Sequence, residues 1–199
     1  MPRFHRKTAP GVRDCTVRKK HNWNQSPSCY SVPQLVPAID RRRAGKGYRH
    51  LLLKRDVERF VELIPHWEDV SRGLDVIVLD RGQPGVDGWY NRGVLAICAW
   101  PTKMSYELDP NWYADHRDLL SRIGARVEDV RLDVIIHWTP DTARAYQLCH
   151  IFLHELGHHI DRMITRTKHD QCAHGEDFAE QYAWAYEVMV LERYFHEFG

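Results

Sequence analysis

His154-Glu155-Leu156-Gly157-His158 is the stretch of this chain whose residue types and spacing can do chemistry. The two histidines are four positions apart, which on an α-helix puts them one turn apart on a single face. Two imidazoles placed in this way can grip one Zn²⁺ as neighbouring ligands. Glu155 is displaced round the helix, close enough to take a proton from a water that the metal polarises. A zinc ion kept for catalysis usually has three protein ligands and an open position for water. A third ligand therefore has to reach the same face from another element. The segment Gly175-Glu176-Asp177-Phe178-Ala179-Glu180-Gln181-Tyr182-Ala183 can supply it, because Glu176, Glu180 and Ala183 share one helical face with Ala179 beside them. Glu176 is then the expected ligand. Glu180, one turn on, is expected to accept the free N–H of a ligand histidine and so fix its tautomer. Small alanines on that face let the two helices approach closely.

HExxH followed after a short connection by a helix bearing ExxAE resembles the gluzincin branch of the zincin metallopeptidases. Thermolysin and the minimal single-domain gluzincins belong to that branch. The phrase EDFAEQYA is also similar to the corresponding helix of the lethal-factor-like peptidases. The likeness covers about residues 139–198, plus the strand-rich layout before them. It implies zinc ligands His154, His158 and Glu176, a supporting Glu180, and Glu155 as general base. The implied activity is zinc-dependent hydrolysis of peptide bonds through a zinc-bound water, with a peptide or protein as substrate. The implied fold is α+β and zincin-like: a small mixed β-sheet packed on the helix that carries HExxH, followed by a second ligand-bearing helix.

His174-Gly175, 16 residues after His158, competes for the third ligand. That pair resembles the SprT-like proteases, which act on proteins bound to DNA, and would make His174 the ligand. His169 is a further candidate. The metzincin pattern is excluded, since Ile164 stands six residues beyond His158. No residue matches the thermolysin-type histidine or tyrosine that stabilises the transition state. A non-catalytic, zinc-stabilised binding domain would use the same ligands with a fourth protein group in the water position. His150 and Asp161, each about a turn from a ligand histidine, are candidates for supporting hydrogen bonds. His159 points away from the ligand face, and Tyr182 and Tyr186 read as packing residues.

The elements that must position these residues follow from the apolar pattern. A run with helical periodicity from about Pro140 to Met163 carries the zinc motif, with Thr139 as its cap and Pro140 at its first position. Thr165 to Gly175 is a polar connection, and Glu176 to Phe198 forms the last helix. Upstream, Tyr48 to Ile64 and Asn111 to Ile123 show helical spacing. Leu74–Asp80, Gly93–Trp100 and Val130–Trp138 read as strands, the first two joined through a turn-rich segment. Either of the last two strands is a candidate to pair with extended substrate.

At 199 residues the chain suffices for one domain with an extension. No apolar run is long enough to span a membrane, and the start MPRFHRKTAPGVRD has no apolar signal core, so a cytoplasmic address is expected. Five cysteines with irregular spacing and no CxxC pair fit reduced thiols. Residues 1–50 hold 12 Lys/Arg against 2 Asp/Glu, leaving 16 against 25 in the rest. Residues 1–47, rich in proline, glycine and basic residues, are expected to form an irregular extension to a metallopeptidase domain at 48–199. That basic arm can bind nucleic acid or dock on the acidic body, and Cys15, His21 or Cys29 could cap the metal from it.

Overall fold

The computed structural model describes residues 10–13, 16–19, 36–130, 133–165 and 174–199. Cys15, His21, Cys29, His169 and Cys172 lie outside them. Strands β1 (Pro10–Arg13) and β2 (Thr16–Lys19) form an antiparallel hairpin. The central sheet has the order β3-β5-β7-β6, built from β3 (Ala38–Arg41), β5 (Val76–Asp80), β6 (Gly88–Asn91) and β7 (Val94–Cys98). β3, β5 and β7 are parallel, and β6 runs antiparallel along the outer side of β7. Val-Ile-Val-Leu-Asp in β5 and Val-Leu-Ala-Ile-Cys in β7 are buried at every position, as inner strands covered on both faces must be. The β6–β7 turn places Arg92 and Gly93 at positive φ, 43° and 82°, the pairing a tight two-residue hairpin requires.

Ala38–Arg41 lies inside the segment expected to be an irregular extension, yet it is a full member of this sheet. The body therefore begins before residue 48. Local patterning misses the strand because it is only four residues long and sits between Pro37 and an arginine run. The helical run expected from Tyr48 is shorter: β4 (Tyr48–Arg49) pairs with β8 (Trp100–Pro101), and α1 spans Lys54–Val61. A short helix, α2 (Trp67–Val70), leads into β5.

A second, three-stranded antiparallel sheet has the order β10-β11-β9, from β9 (Ser105–Leu108), β10 (Arg126–Val130) and β11 (Asp133–His137). The single strand expected from Val130 to Trp138 is thus divided, with Val130 paired to Asp133 across a reversal of direction. The β-branched residues on both sides of Arg131-Leu132-Asp133 make the two pieces read as one strand. Helix α3 (Pro110–Arg122) precedes β10; Asp109 caps it by accepting from the N–H of Asn111 at 2.7 Å.

The helix of the zinc motif is continuous but not uniform. α4 (Pro140–Tyr146) starts on Thr139, whose hydroxyl accepts from Thr142 N–H at 3.1 Å. A π-helical segment (Gln147–Phe152) follows, then α5 (Leu153–Thr165). The chain returns antiparallel as α6 (Gly175–Phe198). The π segment inserts extra backbone directly before the motif, and sequence periodicity does not register it. The architecture is α+β. The main core joins Phe60, Phe152, Leu79, Leu95 and Leu120, so the zinc-motif helix is packed between sheet and α6. No helix among the described residues is long and apolar enough to cross a membrane.

Candidate metal centre

Two packing features set the distance between α5 and α6. Gly157 faces α6 so closely that a Cβ there would lie 2.8 Å from Ala179 Cα and 3.0 Å from Ala179 O. Ala179 and Ala183 are fully buried on the facing side. Asp161, also buried, reaches across to the start of α6: Oδ2 accepts from the N–H of His174 at 2.9 Å and of Gly175 at 3.1 Å. Its Oδ1 holds His174 Nδ1 at 2.6 Å. Burial alone would raise the Asp161 carboxyl, but these donors outweigh it and hold it below the usual carboxylate range. Asp161 thus fixes the first turn of α6, the turn that carries Glu176.

With the helices so held, one ligand atom each from His154, His158 and Glu176 lie within 4.8 Å of one another. Glu176 Oε2 stands 3.1 Å from His154 Nε2 and 3.5 Å from His158 Nε2. His154 Nδ1 donates to Glu180 Oε2 at 2.8 Å, the supporting contact expected from the sequence. A neutral imidazole carries one proton, and this one is committed to Nδ1. His154 Nε2 then meets Glu176 Oε2 either through a second ring proton, which burial opposes and Glu180, Glu155 and Glu176 favour, or through a cation held between them. Two imidazoles and a carboxylate are a donor set suited to Zn²⁺. The Glu176 side chain is 81% exposed, which leaves the centre open to solvent on that side.

Glu155 does not belong to the group. It is buried beside β6, where a Cβ on Gly88 would fall 2.7 Å from Glu155 Oε1. Burial pushes its carboxyl up to about 8, opposed by His154 and reinforced by Glu176. Glu155, His154 and Glu176 line a cleft of about 670 Å³ together with Gly85, Val86 and Gly88.

The other sequence-derived candidates separate clearly. His174 is turned to Asp161, and among the described residues it is in no group of convergent ligand atoms. His159 is fully buried; Nε2 donates to Arg72 O at 3.0 Å and Nδ1 accepts from Tyr90 Oη at 3.1 Å, a structural role. Tyr182 and Tyr186 stack on each other, ring centroids 4.5 Å apart. Neither strand expected to receive substrate has a free side: β7 lies between β5 and β6, and β11 between β10 and β9. The edge strand beside Glu155 is β6, which pairs with β7 as a hairpin; the sequence pattern at Trp89-Tyr90, after the turn-rich segment, left hairpin and loop open.

His116, His150, Glu180 and Glu187 form a second polar cluster against the same cleft. Sequence reasoning placed His116 among the apolar positions of its helix and missed the cluster. The available signal was a stripe: Glu176, Glu180, Ala183 and Glu187 on α6 run opposite His150, His154 and His158. No protein-family model matches this chain, and no curated protein or solved structure matches it either.

Proposed function

We propose that this chain is a zinc-dependent metallopeptidase of zincin-like design, with His154, His158 and Glu176 as metal ligands and Glu155 as general base. The observation that carries the reading is the convergence of three electron-pair donors with a buried, non-ligating carboxylate beside them on one cleft. A zinc ion held there supplies Lewis acidity, lowering the pKa of a coordinated water and polarising a carbonyl. Glu155 takes the proton released as water attacks the peptide carbonyl and returns it to the leaving amine. Its position in the near-neutral range suits both transfers. Glu180 holds His154 in the tautomer whose Nε2 faces the metal. Peptide substrate lies extended along β6, whose outer side has no strand neighbour among the described residues, by β-augmentation. Gly88 lets the Glu155 and Ile151 side chains press against that strand.

The test is a Glu155→Gln variant assayed on unfolded proteins beside its zinc content. Cleavage is expected to fall by at least about 10²-fold, the lower end of what a general base contributes, while zinc content stays unchanged. Cleavage at the wild-type rate would overturn the reading.

A further inference from the structure

The cluster behind the first centre repeats its design with different residues. His116 from α3, His150 from the π segment and Glu180 from α6 bring one ligand atom each within 4.8 Å of one another. His116 Nε2 stands 3.1 Å from His150 Nε2 and 3.2 Å from Glu180 Oε1; His150 Nε2 is 3.8 Å from the same oxygen. Each imidazole has its other nitrogen committed. His116 Nδ1 donates to Trp112 O at 2.8 Å, and His150 Nδ1 donates to Glu187 Oε1 at 2.7 Å. In their neutral forms, both Nε2 atoms therefore present lone pairs to each other and to a carboxylate oxygen. Glu180 Oε1 is itself buried and accepts no hydrogen bond among the described residues. With both rings neutral, three acceptors meet at one point, and either a second ring proton, as in a His116–Glu180 ion pair, or a bound cation can join them.

The surroundings hold these groups in place. The His116 ring stacks on Trp112 with centroids 4.1 Å apart, and the His150 ring on Tyr146 at 5.0 Å. Glu187 orients His150 as Glu180 orients His154, each carboxylate fixing a tautomer with Nε2 turned inward. Both histidines are buried. Facing acceptors in that setting are costly, and a metal cation at the centre relieves the cost as a ring proton would.

We propose that His116, His150 and Glu180 form a second metal site, for a zinc-type divalent ion, separate from the peptidase centre. The N₂O donor set suits Zn²⁺ or Co²⁺ better than Ca²⁺ or Mg²⁺, which take oxygen ligands. The two groups share no ligand atom. Glu180 links them: Oε1 faces the second site while Oε2 receives His154 Nδ1. The second ion thus ties α3, the π segment and α6 together and fixes the carboxylate that orients His154. Its place is structural and positioning.

The proposal is tested by dialysing the metal-stripped full chain against Zn²⁺ or Co²⁺ and measuring bound metal per chain by elemental analysis. The wild type, His116→Gln and Glu176→Ala are compared. Two ions are expected in the wild type and one in each variant, with the ion left in Glu176→Ala slower to leave under chelator. One ion in the wild type that persists in His116→Gln overturns the proposal and leaves the first centre intact; a proton shared between the imidazoles then joins the cluster. One ion lost in His116→Gln but kept in Glu176→Ala supports the second site and removes the first. Should His116→Gln not fold, imidazole ¹⁵N spectra of the wild type decide. Nε2 signals of His116 and His150 that move on adding Zn²⁺ support the site, and signals that stay fixed overturn it.

Discussion

At the scale of single residues, the chemistry rests on which nitrogen of each histidine is already spoken for. Glu180 commits His154 Nδ1 and leaves Nε2 facing Glu176. Glu180→Gln keeps the shape but removes the charge and can present an amide N–H where an acceptor is needed. Zinc affinity at the first centre is expected to fall by about 10–100-fold, read by competition with a chromophoric chelator. Unchanged affinity would show that His154 needs no such orientation. Glu176 and the HELGH residues were legible in the sequence because their helical spacing puts them on facing stripes. His174 was equally visible as a ligand type, and sequence spacing alone did not separate it from Glu176. Its ring is used by Asp161, a buried carboxylate whose partner lies 13 residues on, beyond the reach of helical periodicity.

At the scale of elements, the site depends on two close approaches that only glycine permits. Gly157→Val would drive side-chain atoms into the Ala179 backbone, where no flexible group can give way. A loss of roughly 1–3 kcal/mol in unfolding free energy is expected from overpacking, with weakened zinc binding as α6 shifts. A denaturant melt with matched metal analysis measures both. Gly88→Val should act differently, because the atoms it meets belong to Glu155 and Ile151 in the cleft. Zinc content should hold while cleavage is lost; cleavage at the wild-type rate would argue that substrate does not lie along β6. The helices over 111–123, 140–163 and 176–198 were close to their sequence reading, since apolar stripes are local, while the run from Tyr48 was read too long and the π segment was not seen. Strand neighbours were not legible: β6 is an edge because β7 folds back inside it, and β3 joins the sheet across more than 30 residues of chain. Those pairings are set by tertiary contacts that no window of sequence contains.

At the scale of the whole molecule, buried polar groups couple stability to pH. His159 joins the zinc-motif helix to Arg72 and to Tyr90 on β6, and it is held neutral. Burial pushes its pKa down from 6.5 to about 4. Between those values the unfolded chain binds a proton that the folded chain refuses, so stability falls as pH falls through that window. The loss attributable to His159 is at most about 3 kcal/mol. It should appear as a steeper acid decline in the chelated wild type than in chelated His159→Gln. Parallel pH profiles would contradict it.

The central claim is that His154, His158 and Glu176 hold a zinc ion with Glu155 outside its ligand set. Anomalous scattering at the zinc edge, from crystals grown with Zn²⁺, tests it directly. The account requires a peak about 2.0–2.2 Å from His154 Nε2, His158 Nε2 and a Glu176 oxygen, and none bonded to Glu155. No peak among those atoms, or one ligated by Glu155 or His174 instead, would contradict it.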